Sequence, residues 1–249
     1  MSARMSVVDY ARIAETYDAL PVRHAFEPEP TLLAAGARPH VLDVGCGTGL
    51  WLAFHAALPE LAGARFSGCD PSPEMLARAR ARLPAADLRV AFAEALPFDT
   101  ASVDFVAMRF CHHHFADVAA ALTEARRVLR PAGRLLLVNI EPERMPGHWI
   151  RRLFPAAAAL NARYPAVADL VAALEARGFA VDVERRVSAG ELRLDDALRQ
   201  ARLRDQTHLA ALSDADWQAG VTALAEAVRR TPDATVPTES CVVTLRAHP

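Results

Sequence analysis

The residues with the clearest chemical purpose are Val41-Leu42-Asp43-Val44-Gly45-Cys46-Gly47-Thr48-Gly49. Three alternate glycines follow an apolar run and precede a helical stretch. Glycine is needed where backbone turns tightly and meets a ligand without a Cβ in the way. The helix start beyond it offers unpaired N–H groups to a ligand's acceptors. A glycine-rich turn with no ligand is the plain alternative. A dinucleotide loop carries its third glycine one place later, where this chain has Leu50, so the spacing argues against NAD. An acid about twenty residues further on, ending a second strand, would grip ribose hydroxyls. Asp70 stands there, after Phe66-Ser67-Gly68-Cys69. Its rival role is a helix-capping acid beside Pro71, but Ser72 already suits the cap.

His112, His113 and His114 form the second cluster. Three uses compete. Metal binding is poorly served, because adjacent side chains diverge. A structural use would satisfy a loop carbonyl or a helix start. A catalytic use would make one of them a general base, since histidine titrates near neutrality; His114 is placed ahead of His113.

Those residues need a scaffold, and the hydrophobic pattern supplies one. From His40 to Ile140, short apolar runs alternate with helical stretches, as in βαβ units and a parallel sheet. Strands are expected at 41–44, 65–69, 88–92, 103–108 and 134–140, the last after the turn Arg130-Pro131-Ala132-Gly133. Helices are expected at 49–58, at 73–83 with Pro73 in its first turn, and at 116–129. Later come helices at 149–160, 166–177 and 195–204, and one announced by the Ser213/Asp216 pair and ending near Arg230. Strands at 179–187 and 239–246 bring the total to seven. The expected fold is a Rossmann-like, seven-stranded, mostly parallel sheet with helices on both faces and helical cap additions. Ligands of such sheets sit beyond the carboxyl ends of the strands. The stretches before Pro39, at 141–164 and at 188–237 would cover that edge.

The chain has 249 residues, 52% of them hydrophobic, enough for one domain with a substantial core. The formal charge of −2 gives no general attraction to nucleic acid or anionic membranes. All 28 basic residues are arginine, a bias expected of a GC-rich genome. No signal peptide or membrane span is read, so a soluble cytoplasmic protein is expected. Cys46, Cys69, Cys111 and Cys241 form no CxxC pair and are expected as reduced, buried thiols, with no metal site.

The ordered segments VLDVGCGTG, GCDPSPEML, AEALPF with SVDFVAMRFCHHHF, and RVLRPAGRLLLV resemble the successive motifs of class I S-adenosylmethionine-dependent methyltransferases. The look is closest to the ubiquinone/menaquinone group. It extends from about Val41 to Val138, and Ala14-Glu15-Thr16-Tyr17-Asp18 resembles that group's lid helix. The resemblance implies S-adenosylmethionine as cofactor. Gly45, Cys46, Gly47, Thr48 and Gly49 would line its methionine and ribose parts, with Asp43 facing its amino group. Asp70 would hold the ribose, Pro71 and Met75 would lie near the adenine, and Ala93 and Glu94 along its edge. Arg109 would contribute backbone contacts to the methionine moiety, and Tyr17, with Tyr10, would close over it. In this chain Phe92 replaces an acid common in relatives and is expected to pack, while Ala132 replaces the first glycine of the usual turn, leaving Gly133 for any positive φ. The Asn-Pro-Pro-Tyr signature of nucleobase amino-methyltransferases is absent, Met108-Arg109-Phe110-Cys111 standing in its place.

The expectation is therefore one methyltransferase domain: lid helices at 1–38, a cofactor-binding core at 39–140, and remaining strands with cap insertions at 141–249. It would methylate a small hydrophobic or aromatic metabolite. Trp149, Phe154, Tyr164 and Trp217 are candidates to line the acceptor pocket or merely to pack helices. Rival readings are a non-catalytic cofactor binder and a protein or RNA methyltransferase. Monomer and homodimer both stay open.

Overall fold

The computed structural model describes residues 17–19, 26–36, 38–204 and 206–249. Tyr10 and residues Ala14 to Thr16 of the expected lid lie outside them. A short helix, α1 (Pro30–Leu33), leads into β1 (His40–Val44), α2 (Leu50–Ala56), β2 (Arg65–Asp70), α3 (Pro73–Arg82) and β3 (Asp87–Val90). After a loop come β4 (Val103–Arg109), α4 (Val118–Val128) and β5 (Leu129–Ile140). Then follow α5 (Trp149–Leu153), a 3-10 segment (Pro155–Arg163), α6 (Val167–Glu175) and β6 (Ala180–Arg193). The chain finishes with α7 (Leu194–Leu203), α8 (Thr207–Ala210), α9 (Asp214–Arg230) and β7 (Thr235–His248).

The seven strands form one sheet in the order β3-β2-β1-β4-β5-β7-β6. The pairs among β1 to β5 are parallel, and β7 runs antiparallel to both β5 and β6. Chain direction along the sheet reverses between β1 and β4, so the crevice at their carboxyl ends is the natural ligand edge.

Alternation along the central strands builds two cores. Leu42 and Val44, Val106 and Met108, and Leu135 and Leu137 point to the face covered by α4 and α6. Val41, Phe105 and Ala107, and Leu136 and Val138 point to the other, covered by α1, α2 and α3. A third core is separate: Trp149, Ile150 and Phe154 pack with Leu194, Leu198, Leu209, Val221 and Leu224. It belongs to the cap.

Local signals explain the helix starts. Ser72 accepts from Met75 N at 3.2 Å, with Pro73 next to it. Ser213 accepts from Asp216 N at 3.1 Å and donates to that carboxylate at 2.6 Å. Gly178 has φ +83, the left-handed residue that stops α6.

Three expectations are corrected. The segment 149–160 is α5 followed by 3-10 turns rather than one helix, because Pro155 interrupts it. The turn before β5 is a bulge within the strand, where pairing jumps from Val103–Leu129 to Phe105–Arg134. Gly133 has no positive φ there; a Cβ would lie 2.8 Å from Leu129 Cδ2, so close packing is its reason. Finally, β6 and β7 run far beyond 179–187 and 239–246, pairing from Ala180–His248 to Arg193–Thr235 as a long ribbon.

Gly220 in α9 faces the Phe154 ring, and a Cβ there would sit 2.2 Å from Phe154 Cε1. Both residues are in the packed cap. Gly220→Ala is expected to lower unfolding free energy by about 1–3 kcal/mol through overpacking, measured by denaturant titration.

Candidate functional site

The loop after β1 is tied to the end of β2. Gly45 N and Cys46 N both donate to Cys69 O, at 2.8 and 3.0 Å. Gly47 N donates to Asp70 Oδ2 at 2.9 Å, and Ser72 N donates to Asp70 Oδ1 at 2.9 Å. One carboxylate therefore orders both the glycine loop and the start of α3. Its oxygens keep further lone pairs for a ligand. Burial pushes the Asp70 carboxyl above its usual range, against these two backbone hydrogen bonds.

The three glycines do different work. All have positive φ, at +73, +53 and +76 for Gly45, Gly47 and Gly49. A Cβ on Gly45 would meet Cys111 Cβ at 2.6 Å, and one on Gly49 would meet Ala79 Cβ at 3.1 Å. Those two serve packing, of the loop on the end of β4 and of α2 on α3. Gly47 alone of the three faces space with nothing within 4 Å. Hence Gly45→Ala is expected to destabilise the fold itself, lowering the melting temperature. Gly47→Ala is expected to keep the fold at a cost of about 1–2 kcal/mol for its left-handed backbone, yet to weaken ligand binding. Thermal unfolding and ligand titration of the two variants separate these roles.

Beneath the loop, Asp43 is buried, and its Oδ1 has no hydrogen-bond partner. Burial pushes its carboxyl up to about 7, partly offset by the Arg109 guanidinium and reinforced by Asp70. Arg109 ends β4. Its guanidinium lies 5.2 Å from the Phe26 ring centre, 5.5 Å from Trp51 and 5.6 Å from Phe110. Burial lowers its pKa, with Asp43 the largest opposing charge. The Arg109 side chain thus enters the site, beyond the backbone role expected of it. Phe110 beside it is held at φ +51, a conformation L-residues avoid.

Thr48 Oγ1 donates to Asp18 Oδ1 at 2.7 Å, and Arg82 reaches both the Thr48 carbonyl and Asp18. Tyr17 packs on Met75 together with Ala210 and Ala211 from the end of α8 and the residue after it. The N-terminal segment and the cap therefore converge over the first turn of α3, where Pro71 is exposed and Met75 buried.

Ala93 is buried, while Phe92 is 57% exposed, which corrects the expectation that it packs. Strand β3 ends at Val90, so Phe92 lies in the loop and no strand pairing turns it inward. Glu94 Oε1 accepts from Ala116 N at 2.7 Å and Asp117 N at 3.1 Å, holding the chain just ahead of α4.

Across the crevice the histidines form a 3-10 turn after β4. His112 and His113 are buried, and both lie 3.0 Å from Asn139 Nδ2. His113 stacks on Tyr164 at 4.4 Å and 14°, and Tyr164 stacks on His208 at 5.6 Å and 4°. Burial lowers His112, His114 and His208 to about 4, and His113 to about 2. All four rings are neutral near pH 7. Of the four aromatic candidates, only Tyr164 reaches the histidines. Trp149 and Phe154 are fully buried in the cap core, and Trp217 donates to Ala201 O at 2.8 Å under Arg204. Asn139, His208 and Arg82 are not singled out by the sequence, and Asp18 stands there only within the segment that resembles a lid helix. For Asn139 a signal existed: it is the one polar residue in the apolar run Leu135 to Ile140.

The four cysteines are free and buried. Among the described residues, no group of His, Cys, Asp and Glu could hold a metal ion, and no helix is long and apolar enough to cross a membrane.

Comparison with known proteins matches residues 42–137 to the methyltransferase domain family. A demethylmenaquinone methyltransferase of Chlorobaculum tepidum is 43% identical over 101 residues, covering 41% of this chain and 40% of that protein. An uncharacterised methyltransferase of Mycobacterium tuberculosis is 42% identical over 134 residues, covering 53% and 52%. The matched part thus spans about half or less of those relatives' length. The crystal structure of a methyltransferase from Aquifex aeolicus that depends on S-adenosylmethionine superposes with a TM-score of 0.54 at 23% identity, covering 71% of this chain and 90% of that one; it speaks for the fold. Residues 42–137 thus match a methyltransferase domain, and 41% of the chain is similar to a demethylmenaquinone methyltransferase, on a fold shared with enzymes that depend on S-adenosylmethionine.

Proposed function

We propose that this protein methylates a small hydrophobic or aromatic metabolite. The observation that carries the reading is Asp43: a buried carboxylate oxygen without a partner, below a glycine with open space and beside a ribose-competent acid. That set fits S-adenosylmethionine, whose sulfonium supplies an activated methyl group. Asp43 would accept from its ammonium, Gly45 to Gly49 would cradle the middle of the molecule, and Asp70 would accept from its ribose hydroxyls. Met75, Pro71, Ala93 and Glu94 would border the adenine, and exposed Phe92 offers it a stacking face. Arg109 would face the methionine end, and Tyr17 would close over the cofactor. In domain terms, 1–38 would act as lid, 39–140 as cofactor core and 141–249 as acceptor cap.

The catalytic demand is positioning, which can lower a barrier by about 7–11 kcal/mol when geometry is good. The neutral rings of His113, Tyr164 and His208 and the apolar cap favour a small acceptor over a phosphate-rich polymer. The name of the Chlorobaculum relative, demethylmenaquinone methyltransferase, supports the same class. A panel of phenols, amines and enols, read out by release of S-adenosylhomocysteine, tests the reading. Turnover confined to peptide or RNA substrates would overturn it, as would binding of the cofactor with no turnover of any acceptor.

Should the acceptor need deprotonation, His114 is the candidate base. Burial holds it at about 4, so it is an unprotonated acceptor throughout the neutral range. The base limb of the pH–rate profile is then expected near pH 4, where protonation removes it, and His114→Ala is expected to lower kcat about 10²–10⁴-fold. A profile unchanged by that substitution would point to an acceptor that needs no base.

A further inference from the structure

Asn139 closes β5 against the histidine turn, and its amide orientation is determined by its neighbour. Ile140 N donates to Asn139 Oδ1 at 2.9 Å. A backbone N–H can only donate, so this end of the amide is the oxygen, and the end facing the histidines is the NH₂. That nitrogen has two protons and nothing to accept with. It lies 3.0 Å from His112 Nε2 and 3.0 Å from His113 Nδ1. Both imidazole nitrogens must therefore accept. A neutral ring carries one proton, which leaves His112 protonated on Nδ1 and His113 protonated on Nε2. Among the described residues, these are the two buried ring nitrogens that have no partner. Leaving a buried donor unpaired is costly, so each of these ring N–H groups calls for an acceptor atom.

We propose that Asn139 locks His112 and His113 as N–H donors, and that His113 Nε2–H binds an oxygen of the methyl acceptor, an aromatic or conjugated small molecule bearing a phenolate, enolate or carbonyl oxygen. The identity of the acceptor rests on the methyltransferase reading; the tautomers do not. His113 stacks on Tyr164, which stacks on His208, while the His114 ring lies 3.9 Å from His113 at a tilt of 47°, so a flat ring entering here would meet a set of π faces. Arg163 acts on both His113 and His114, a positive field that favours an anionic oxygen. Neutral donors and a nearby cation suit an acceptor whose oxygen is already ionised or conjugated to the methylated atom. His113 then acts as an orienting donor, and Asn139 as the positioning residue behind it.

The tautomers are read directly by ¹⁵N NMR of histidine-labelled full-length protein at neutral pH, with signals assigned by the loss of one set in His113→Gln and another in His112→Gln. The expected pattern is a pyrrole-type Nε2 on His113 and a pyrrole-type Nδ1 on His112, with and without S-adenosylhomocysteine. Asn139→Asp, whose carboxylate can only accept, is expected to move the proton to the opposite nitrogen in both rings. Doubly protonated rings, or the opposite tautomers in the wild-type protein, would overturn the proposal whether or not Asn139→Asp folds. With S-adenosylhomocysteine bound, 4-nitrophenol is the probe and nitrobenzene its control. The phenol is expected to shift the His113 Nε2 signal and to bind more tightly than nitrobenzene, a preference that falls about tenfold or more in His113→Phe and survives in His113→Gln. No shift at millimolar phenol would overturn the assignment of an oxygen-bearing acceptor. Failure of S-adenosylhomocysteine to bind would sink the methyltransferase reading and leave the tautomer result to stand or fall alone.

Discussion

Asp70→Ala is expected to lower affinity for S-adenosylhomocysteine by about 10²–10⁴-fold, measured by calorimetry. Hydrogen bonds to a charged group contribute about 1.5–3 kcal/mol each, and two ribose hydroxyls would lose an ionised acceptor together. A further loss comes from the protein itself. Gly47 N and Ser72 N would both be left without their acceptor, so the loop would no longer be held in its binding shape. Asp70→Asn separates the two terms: its amide oxygen can retain one backbone contact while removing the charge. Glu94→Ala is the control. Glu94 Oε1 is engaged by Ala116 N and Asp117 N, so its removal is expected to loosen the approach to α4 and to change cofactor affinity only a few-fold. Equal losses in the two alanine variants would mean the acids have been given the wrong roles.

Cofactor binding is expected to release a proton from Asp43 below neutral pH. Its carboxyl is raised to about 7 in the free protein by burial, so much of it is protonated in mildly acidic solution. The cofactor's ammonium would favour the ionised form and drive the proton off. Affinity is therefore expected to fall as pH drops below about 7 and to level off above it. Titrations in buffers of different ionisation heat count the proton, and Asp43→Asn is expected to abolish both the release and the pH slope. Stability of the free protein should show the opposite dependence. A raised carboxyl contributes most below its ordinary value of 3.8, and that contribution is lost as pH rises through about 7. A flat affinity with no proton release would place the ammonium elsewhere.

The sheet and the glycine loop were legible because local chemistry and global fold agree there. Apolar runs gave the central strands, Ser72 and Ser213 gave helix starts, and three glycines with Asp70 marked the ligand edge. What stayed hidden depends on partners distant in sequence. Residues Ser188 to Arg193 and Thr235 to Thr238 carry too little apolar alternation to read as strand; the pairing of Ser188 to Arg193 with Thr235 to Ser240 makes them so. At Gly45 and Gly49 a further reason for glycine lies in distant partners: Cys111 and Ala79 exclude a side chain at each. The histidine run looked like a source of bases. Only Asn139, on the neighbouring strand, reveals that its first two members are oriented by a common amide.

The ribbon of β6 and β7 has a practical consequence for engineering. Ser188 and Ser240 face each other in register, at the point where the strands leave the sheet behind. The chain between them departs and returns at a single doorway, so it is a graftable cassette. Its main core is shared with the stretch around Trp149 to Ala157, and it also meets Tyr164 through His208, and Tyr17 and Met75 through Ala210 and Ala211. On the proposed function, chimeras that exchange both pieces together, with the facing residues at Tyr17, Met75 and Tyr164 kept compatible, should fold with the glycine loop intact and inherit the donor's choice of acceptor. Exchanging the ribbon insert alone would strand Trp149 and Phe154 against an unfamiliar surface.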